Sequence, residues 1–114
     1  MSYQVLILKG VQEYINKLDR KHQDKILDFV RLLEEKNGIL DEPYSKHLRG
    51  KIRELRIGLG GANHRILYSF LPDQKIILLL AFLKITKKTP EKFIDKAAAI
   101  YKEFIKLKYE KYNH

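Results

Sequence analysis

The stretch IRELRIGLGGANHRILYSFLPDQKIILLLAFL, from Ile52 to Leu83, contains three strand-like runs separated by two turn signals. The first run is followed by Gly60-Gly61, a pair that tolerates the backbone angles of a tight turn. Arg65 to Leu71 forms the second run, and residues 72–74, with the letters PDQ, turn the chain into the third run, Lys75 to Leu83. This alternation predicts consecutive, mostly antiparallel strands.

The third run is apolar at nearly every position, which is typical of a central strand covered on both faces. Before the stretch, Tyr3 to Leu8 reads as a short strand, and two helices follow it. The second helix runs from about Lys21 to Lys36, and Asp41 to Lys46 reads as a loop. After the stretch, Thr89-Pro90 begins a final helix, because threonine can cap free amide groups and proline is preorganised for the first helical position. The apolar stripe expected on that helix is Phe93, Ile94, Ala97, Ile100, Tyr101 and Phe104.

The element order is therefore β-α-α-β-β-β-α, which predicts an α+β fold with a small, mostly antiparallel sheet packed against helices. The length of 114 residues suits one domain, taken as residues 1–114. The absence of cysteine excludes disulfides, thiol catalysis and cysteine-based zinc sites. The longest apolar run is strand-sized and no secretory signal is visible, so we expect a cytoplasmic protein with no membrane partner.

The formal net charge is +9, which indicates an anionic partner such as a nucleic acid or an acidic protein. Six basic residues face one acidic residue between Lys46 and Arg65, and four face one between Lys84 and Lys92. These two windows nearly account for the excess charge. The alternative is a generally basic surface without a specific partner.

Strand periodicity places Arg53 on one face of its strand, and Glu54 and Arg56 on the other, although a bulge or strong twist is an alternative. Either arginine could instead form a surface pair with Glu54. Tyr68 is more typical of a core position than of a catalytic one, and His64 reads as a surface residue or an acid–base group. His22 and His47 read as solvent-exposed. No pair of carboxylates or histidines forms a plausible metal site, so no metal or other cofactor is expected.

Two runs of sequence together resemble the phage-related HigB-type toxins of the RelE superfamily. They are KHLRGKIRELRIGLGGANHRILYSF, from Lys46 to Phe70, and KIILLLAFLKITKKTPEKFIDKA, from Lys75 to Ala97. The shared pattern is "ELR", glycines, "RILY", an apolar strand, "F-x-K", "KTP" and a helix with an alanine. In one departure, Ile85 follows Lys84 where family members often have a second lysine.

The resemblance implies a RelE-like fold and a metal-independent endoribonuclease, an mRNA interferase that cleaves messenger RNA on the ribosome and so inhibits translation. Carried onto matching positions, it implies that Arg56, Arg65 and Lys84 are catalytic and that Tyr68 supports the site from below. The remaining expected RNA-binding residues are the matching pair Lys87 and Lys88, and Lys51 and Arg53 from the basic run.

The resemblance also implies a cognate antitoxin, commonly a helix-turn-helix protein of the HigA type, whose acidic segment would cover the positive face or displace the final helix. Two rival functions stay open from the sequence. The chain could resemble the ParE branch and block gyrase, or it could be an inactive member that only binds its antitoxin and operator DNA.

Overall fold

The computed structural model describes residues 3–108, which form one five-stranded sheet with helices on both faces. The strand order is β1-β5-β4-β3-β2. Strand β1 pairs with β5 in parallel, and all other neighbours are antiparallel, as predicted. The elements in chain order are β1 (Gln4–Ile7), α1 (Lys9–Asn16), α2 (Arg20–Glu35), β2 (Ser45–Arg49), β3 (Ile52–Leu59), β4 (Ala62–Leu71), β5 (Lys75–Leu83) and α3 (Glu91–Lys108).

The predicted element order was wrong in one respect, because Ser45–Arg49 forms an additional edge strand where a loop was expected to extend to Lys46. The order is β-α-α-β-β-β-β-α. The sequence SKHLR lacks a regular apolar alternation because only Ser45 is buried in this strand. Its Oγ accepts a hydrogen bond from the Leu40 amide and donates one to the Leu40 carbonyl. Backbone pairing with β3, rather than an apolar face, therefore defines the strand.

Each face of the sheet supports a separate core. Helices α1 and α2 cover the first face, and α3 covers the second. Strand β5 lies between β1 and β4 with apolar side chains on both faces, which confirms the prediction of a central strand. The predicted stripe of α3 is confirmed too, since all six of its residues belong to the second core or pack against it.

Gly38 fixes the position where α2 returns to the sheet. Its φ is +86°, and a Cβ at this position would lie 2.2 Å from the ring of Phe70. The Gly38 carbonyl accepts a hydrogen bond of 2.7 Å from the Tyr68 hydroxyl. A side chain at residue 38 would therefore have to displace the Phe70 ring and would strain the backbone at this φ. Among residues 3–108, no helix is long and apolar enough to cross a membrane.

Candidate functional site

Two arginines stand directly opposite each other on the face of the sheet that α3 covers. The β3–β4 register pairs Arg56 with Arg65, and the β4–β5 register pairs Arg65 with Phe82. Side chains alternate along a strand, so Lys84, two residues beyond Phe82, extends from the same side of β5. The Lys84 amide donates to the Asn63 carbonyl at 2.8 Å, which holds this end of β5 against β4. The sheet register thus brings together the three cations that the sequence pattern singled out.

A fully buried carboxylate, Glu54, lies at the centre of this group. Its Oε1 is 2.9 Å from Nε of Arg56 and 3.8 Å from Nε of Arg65. Its Oε2 accepts a hydrogen bond from the hydroxyl of Thr89. Thr89, expected to cap the final helix, thus donates its hydroxyl to Glu54, and α3 begins two residues later at Glu91.

Glu54 was underestimated by sequence reasoning, which treated it as a partner for surface arginines. The pairing with Arg56 does occur, but the carboxylate has no exposed surface. The available signal was the strand period, which puts Glu54 and Arg56 on the same face as the buried Ile52. The buried carboxylate fixes the direction of the Arg56 guanidinium by a hydrogen bond and attracts that of Arg65 at longer range.

Arg65 is mostly buried, with 11% of its side chain exposed. One of its terminal nitrogens donates to the His64 carbonyl at 3.1 Å, while the buried Nε has no hydrogen-bond partner among the described residues. Burial lowers the pKa of Arg65, Glu54 opposes that shift and Arg56 adds to it. Arg65 thus contributes positive charge from beneath the surface.

Lys84 lies at the edge of this group, where its Nζ donates to the Lys87 carbonyl at 2.7 Å. Burial lowers the pKa of Lys84 and the positive charge of Arg65 lowers it further; Glu54 opposes the shift, and Arg56 and Lys46 add to it. A lysine in this setting loses its proton more readily than an exposed one.

Above these groups lies a cationic groove of about 290 Å³ between β2, β3 and the segment that leads into α3. The groove brings Lys87 and Lys88, both expected to bind RNA, next to Arg56 and Lys84. Its remaining lining residues are Lys46, His47, Leu48, Thr89, Glu91 and Ile94. Lys46 belongs to the basic window of the sequence, and the edge strand β2 is what brings it into the groove. An anion in the groove would meet five cationic side chains and one exposed carboxylate.

The structure does not bring Lys51 and Arg53 into the cationic groove. Both line a separate hollow of about 340 Å³ together with Tyr101. Arg53 lies on the opposite face of β3 from Arg56, and its Nε donates to the Tyr68 hydroxyl at 3.3 Å. The two predicted RNA-binding residues of the basic run are therefore separated from the predicted catalytic residues.

Tyr68 is fully buried in the first core, on the face of the sheet opposite Arg56 and Arg65. Its hydroxyl donates to the Gly38 carbonyl, so the side chain anchors the end of α2. Tyr68 makes no contact with Glu54 or with the cationic groove in the described interactions. Its position matches the interpretation as a core tyrosine.

A chain of three titratable side chains joins α1, α2 and β4 on the first face of the sheet. His64 is buried, with Nδ1 2.7 Å from the Tyr14 hydroxyl and Nε2 2.9 Å from Nδ1 of His22. The interpretation of His64 as a surface residue was therefore wrong, and His22, expected to be solvent-exposed, is half-buried, because the α1–α2 turn packs over the end of β4. Burial lowers the pKa of His64, and the nearby His22 adds to this shift. Within residues 3–108, no group of three or more His, Cys, Asp or Glu side chains is arranged to hold a metal ion.

A family profile described as phage derived protein Gp49-like matches residues 13–102. Among curated protein sequences, none matches the chain significantly.

Solved structures of RelE toxins have a similar fold. The toxin–antitoxin complex RelBE2 from Mycobacterium tuberculosis gives a TM-score of 0.58 at 17% identity, over 74% of this chain and 100% of that chain. The archaeal RelE–RelB complex from Pyrococcus horikoshii gives 0.56 at 26% identity, over 73% and 96%. A mutant of the E. coli toxin RelE in the free state gives 0.55 at 17% identity, over 95% and 99%. The α+β architecture predicted from the sequence is that of RelE toxins.

Proposed function

Since the chain belongs to the phage-derived Gp49-like family and has the fold of RelE toxins, we propose that it is the toxin of a type II toxin–antitoxin pair. Its proposed activity is metal-independent cleavage of messenger RNA on the ribosome, which stops translation. The observation that carries this proposal is the convergence of Arg56, Arg65 and Lys84 around buried Glu54, beneath a groove lined by further lysines.

The proposed reaction uses the RNA 2′-hydroxyl as the nucleophile. Its oxygen attacks the adjacent phosphorus while the bond from phosphorus to the 5′-oxygen breaks, giving a 2′,3′-cyclic phosphate and a 5′-hydroxyl. Negative charge builds up on the phosphorane oxygens in the transition state, and preorganised cations stabilise it. Arg56 would contact these oxygens directly, since 27% of its side chain is exposed, and Arg65 would add charge from below.

Lys84 has two candidate roles in this reaction. As an ammonium group it would orient the phosphate. With its pKa lowered by burial and neighbouring cations, it could also exchange a proton with the nucleophile or the leaving oxygen. The carboxylate of Glu54 cannot reach the substrate, because it is fully buried against Arg56 and Thr89. The second role of Lys84 would therefore supply the groove with a group that transfers protons.

The proposed dependence of cleavage on the ribosome follows from the cationic lining of the groove. Its cations can bind and stabilise a phosphodiester, but they do not align the 2′-hydroxyl for in-line attack. Holding the strand in a reactive conformation would contribute much of the rate, and the ribosome would do this.

The proposed partner is an antitoxin whose acidic segment occupies the cationic groove. Two structures of similar fold are toxin–antitoxin complexes, which supports a partner of this kind. A helix-turn-helix antitoxin of the HigA type is the specific form that the sequence resemblance suggests.

The function is tested by inducing the chain without an antitoxin and mapping RNA ends by primer extension. We expect growth arrest with discrete cuts inside translated frames. The double variant Arg56→Ala/Lys84→Ala should abolish both effects, whereas Arg20→Ala/Arg31→Ala, at exposed sites on α2, should abolish neither. DNA-damage signalling without RNA cuts would indicate gyrase inhibition instead, and full toxicity of a folded Arg65→Ala/Lys84→Ala variant would refute the site.

A further inference from the structure

Two exposed apolar side chains lie at the start of the basic window from Lys84 to Lys92. Ile85 is 88% exposed and Leu83 is 48% exposed, although each adjoins Lys84 in sequence. Single exposed apolar residues are ordinary on protein surfaces. Leu83 and Ile85 differ from isolated exposed residues because both line one depression. Grouped apolar side chains of this kind indicate a binding surface.

This depression, called here the apolar hollow, has a volume of about 180 Å³. Its apolar walls are Phe82, Leu83, Ile85, Pro90 and Phe93. The rings of Phe82 and Phe93 pack with centroids 4.4 Å apart and an interplanar angle of 38°. An apolar cavity of about 150 Å³ accommodates a benzene ring, so the hollow has the size for one flat ring system.

The apolar hollow adjoins the cationic groove. Lys84 lines both of them, and Lys92 lies at the hollow with its Nζ 5.4 Å from the centroid of Phe93. The loop between them is held by its own side chains: Lys84 donates to the Lys87 carbonyl, and the Thr86 hydroxyl donates to the Lys88 carbonyl at 2.6 Å. Ile85 is thus presented outward from an ordered loop, and its immobilisation costs little on binding.

We propose that the apolar hollow binds one nucleobase of a single-stranded RNA whose neighbouring phosphate lies in the cationic groove. This inference rests on the proposed function and extends it from the backbone to a base. The flat apolar face of a nucleobase would fit the apolar walls of the hollow. The negatively charged phosphate beside the base would then lie next to the lysines at the edge of the hollow and in the cationic groove. Stacking of this kind accepts any base, because every base has an apolar face. An apolar side chain of the proposed antitoxin could fill the same hollow while its acidic segment occupies the cationic groove, so the test uses RNA alone, without an antitoxin.

The test measures fluorescence anisotropy with two labelled tetranucleotides that share one 2′-O-methyl backbone, which the enzyme cannot cleave. One carries four bases, and the other is abasic. The variant Leu83→Ser/Ile85→Ser removes the rim of the apolar hollow at exposed positions. Leu107→Ser changes a residue that is 54% exposed on α3, outside the hollow, and serves as the matched control.

We expect the wild-type protein to bind the base-containing strand at least fivefold more tightly than the abasic strand. The hollow variant should lose that preference and bind the abasic strand as the wild type does, while Leu107→Ser should behave as wild type on both. An unchanged preference in the hollow variant would overturn the inference and leave the proposed function intact. An equal loss of affinity for both strands would overturn it as well.

A different result of the same measurement would overturn the proposed function. If the wild-type protein binds neither strand better than Arg56→Ala/Lys84→Ala does, the cationic groove does not hold RNA, and both the function and the hollow's role are overturned.

Discussion

Glu54 makes the arrangement of positive charge possible at the level of single residues. Two arginines directly opposite each other in adjacent strands would repel each other. The carboxylate between them offsets that repulsion; it accepts a hydrogen bond from the Arg56 Nε and lies 3.8 Å from the Arg65 Nε. Such a pair is costly to break, because removal of one member leaves the other charge buried without compensation.

Replacing Glu54 should therefore destabilise the protein strongly. We expect Glu54→Gln, which keeps the shape and removes the charge, to lower the free energy of unfolding by roughly 3 kcal/mol in urea titrations. Glu91→Gln is the matched control, since the Glu91 carboxylate pairs with Arg49 at an exposed site and should cost about 1 kcal/mol or less. Equal effects of the two variants would contradict the role given to Glu54.

Lys84 offers a second test at the residue scale. The lowered pKa of Lys84 favours proton exchange, which arginine cannot perform because it keeps its proton. Lys84→Arg should therefore reduce messenger RNA cleavage in a purified translation system about as much as Lys84→Ala, by roughly 100-fold. Lys87→Arg, which keeps a charge at the exposed rim, should remain close to wild type. Near-normal cleavage by Lys84→Arg would reduce the role of Lys84 to that of a fixed charge.

At the scale of elements, the α1–α2 hairpin is attached to the sheet by a polar contact as well as by the first core. Tyr14 on α1 and His22 on α2 both bind His64 of β4. These three side chains line a surface hollow, and Lys17 and Asp19, in the turn between the helices, line it as well. Since a neutral imidazole has one donor and one acceptor, neutral His64 can satisfy both neighbours.

Acid should weaken this attachment. Because the pKa of His64 is lowered in the folded state, the unfolded chain takes up a proton below pH of about 6.5 that the folded chain does not. The contribution of neutral His64 to the free energy of unfolding is thus fully present above that pH. It is lost as the pH falls towards the pKa of His64 in the folded state. We expect the urea concentration at the midpoint of unfolding to decrease when the pH is lowered from 7 to 5. This decrease should be smaller in His64→Gln.

The control for this measurement is His47→Gln, since His47 is an exposed residue of β2 whose ring nitrogen lies 2.7 Å from the Gly50 carbonyl. That variant should keep the wild-type pH dependence. An identical slope in His64→Gln would show that other groups cause the acid sensitivity.

For the whole molecule, the sheet divides the positive charge into separate places. The cationic groove lies on the side of α3, while Lys51 and Arg53 line another hollow near the β2–β3 turn. Arg49 lies over α3, where Glu91 and Asp95 pair with it. The basic run from Lys46 to Arg65 therefore does not form one continuous cationic surface.

This distribution predicts the salt dependence of RNA binding. Each phosphate contact with single-stranded nucleic acid contributes about 0.7 to the slope of log K against log salt. The triple variant Lys46→Gln/Lys87→Gln/Lys88→Gln should reduce the slope by about 2. Replacing three exposed lysines of the α1–α2 layer, Lys9, Lys21 and Lys36, should leave it nearly unchanged. Equal reductions in both triple variants would indicate binding by overall charge.

The local sequence determined the strands between Ile52 and Leu83, the helices around them and the central place of β5. These features depend on periodicity and turn residues within a few positions of each other. Strand β2 escaped detection because an edge strand is defined by backbone pairing and needs no apolar face.

Only the tertiary structure decided which polar residues are buried together. Glu54 meets Thr89 from 35 residues away, and His64 meets Tyr14 from 50 residues away. Strand register, which sets Arg56 opposite Arg65, and the packing of helices over strand ends produce these contacts. No local pattern encodes them, because burial of a charged side chain depends on what the rest of the chain places over it.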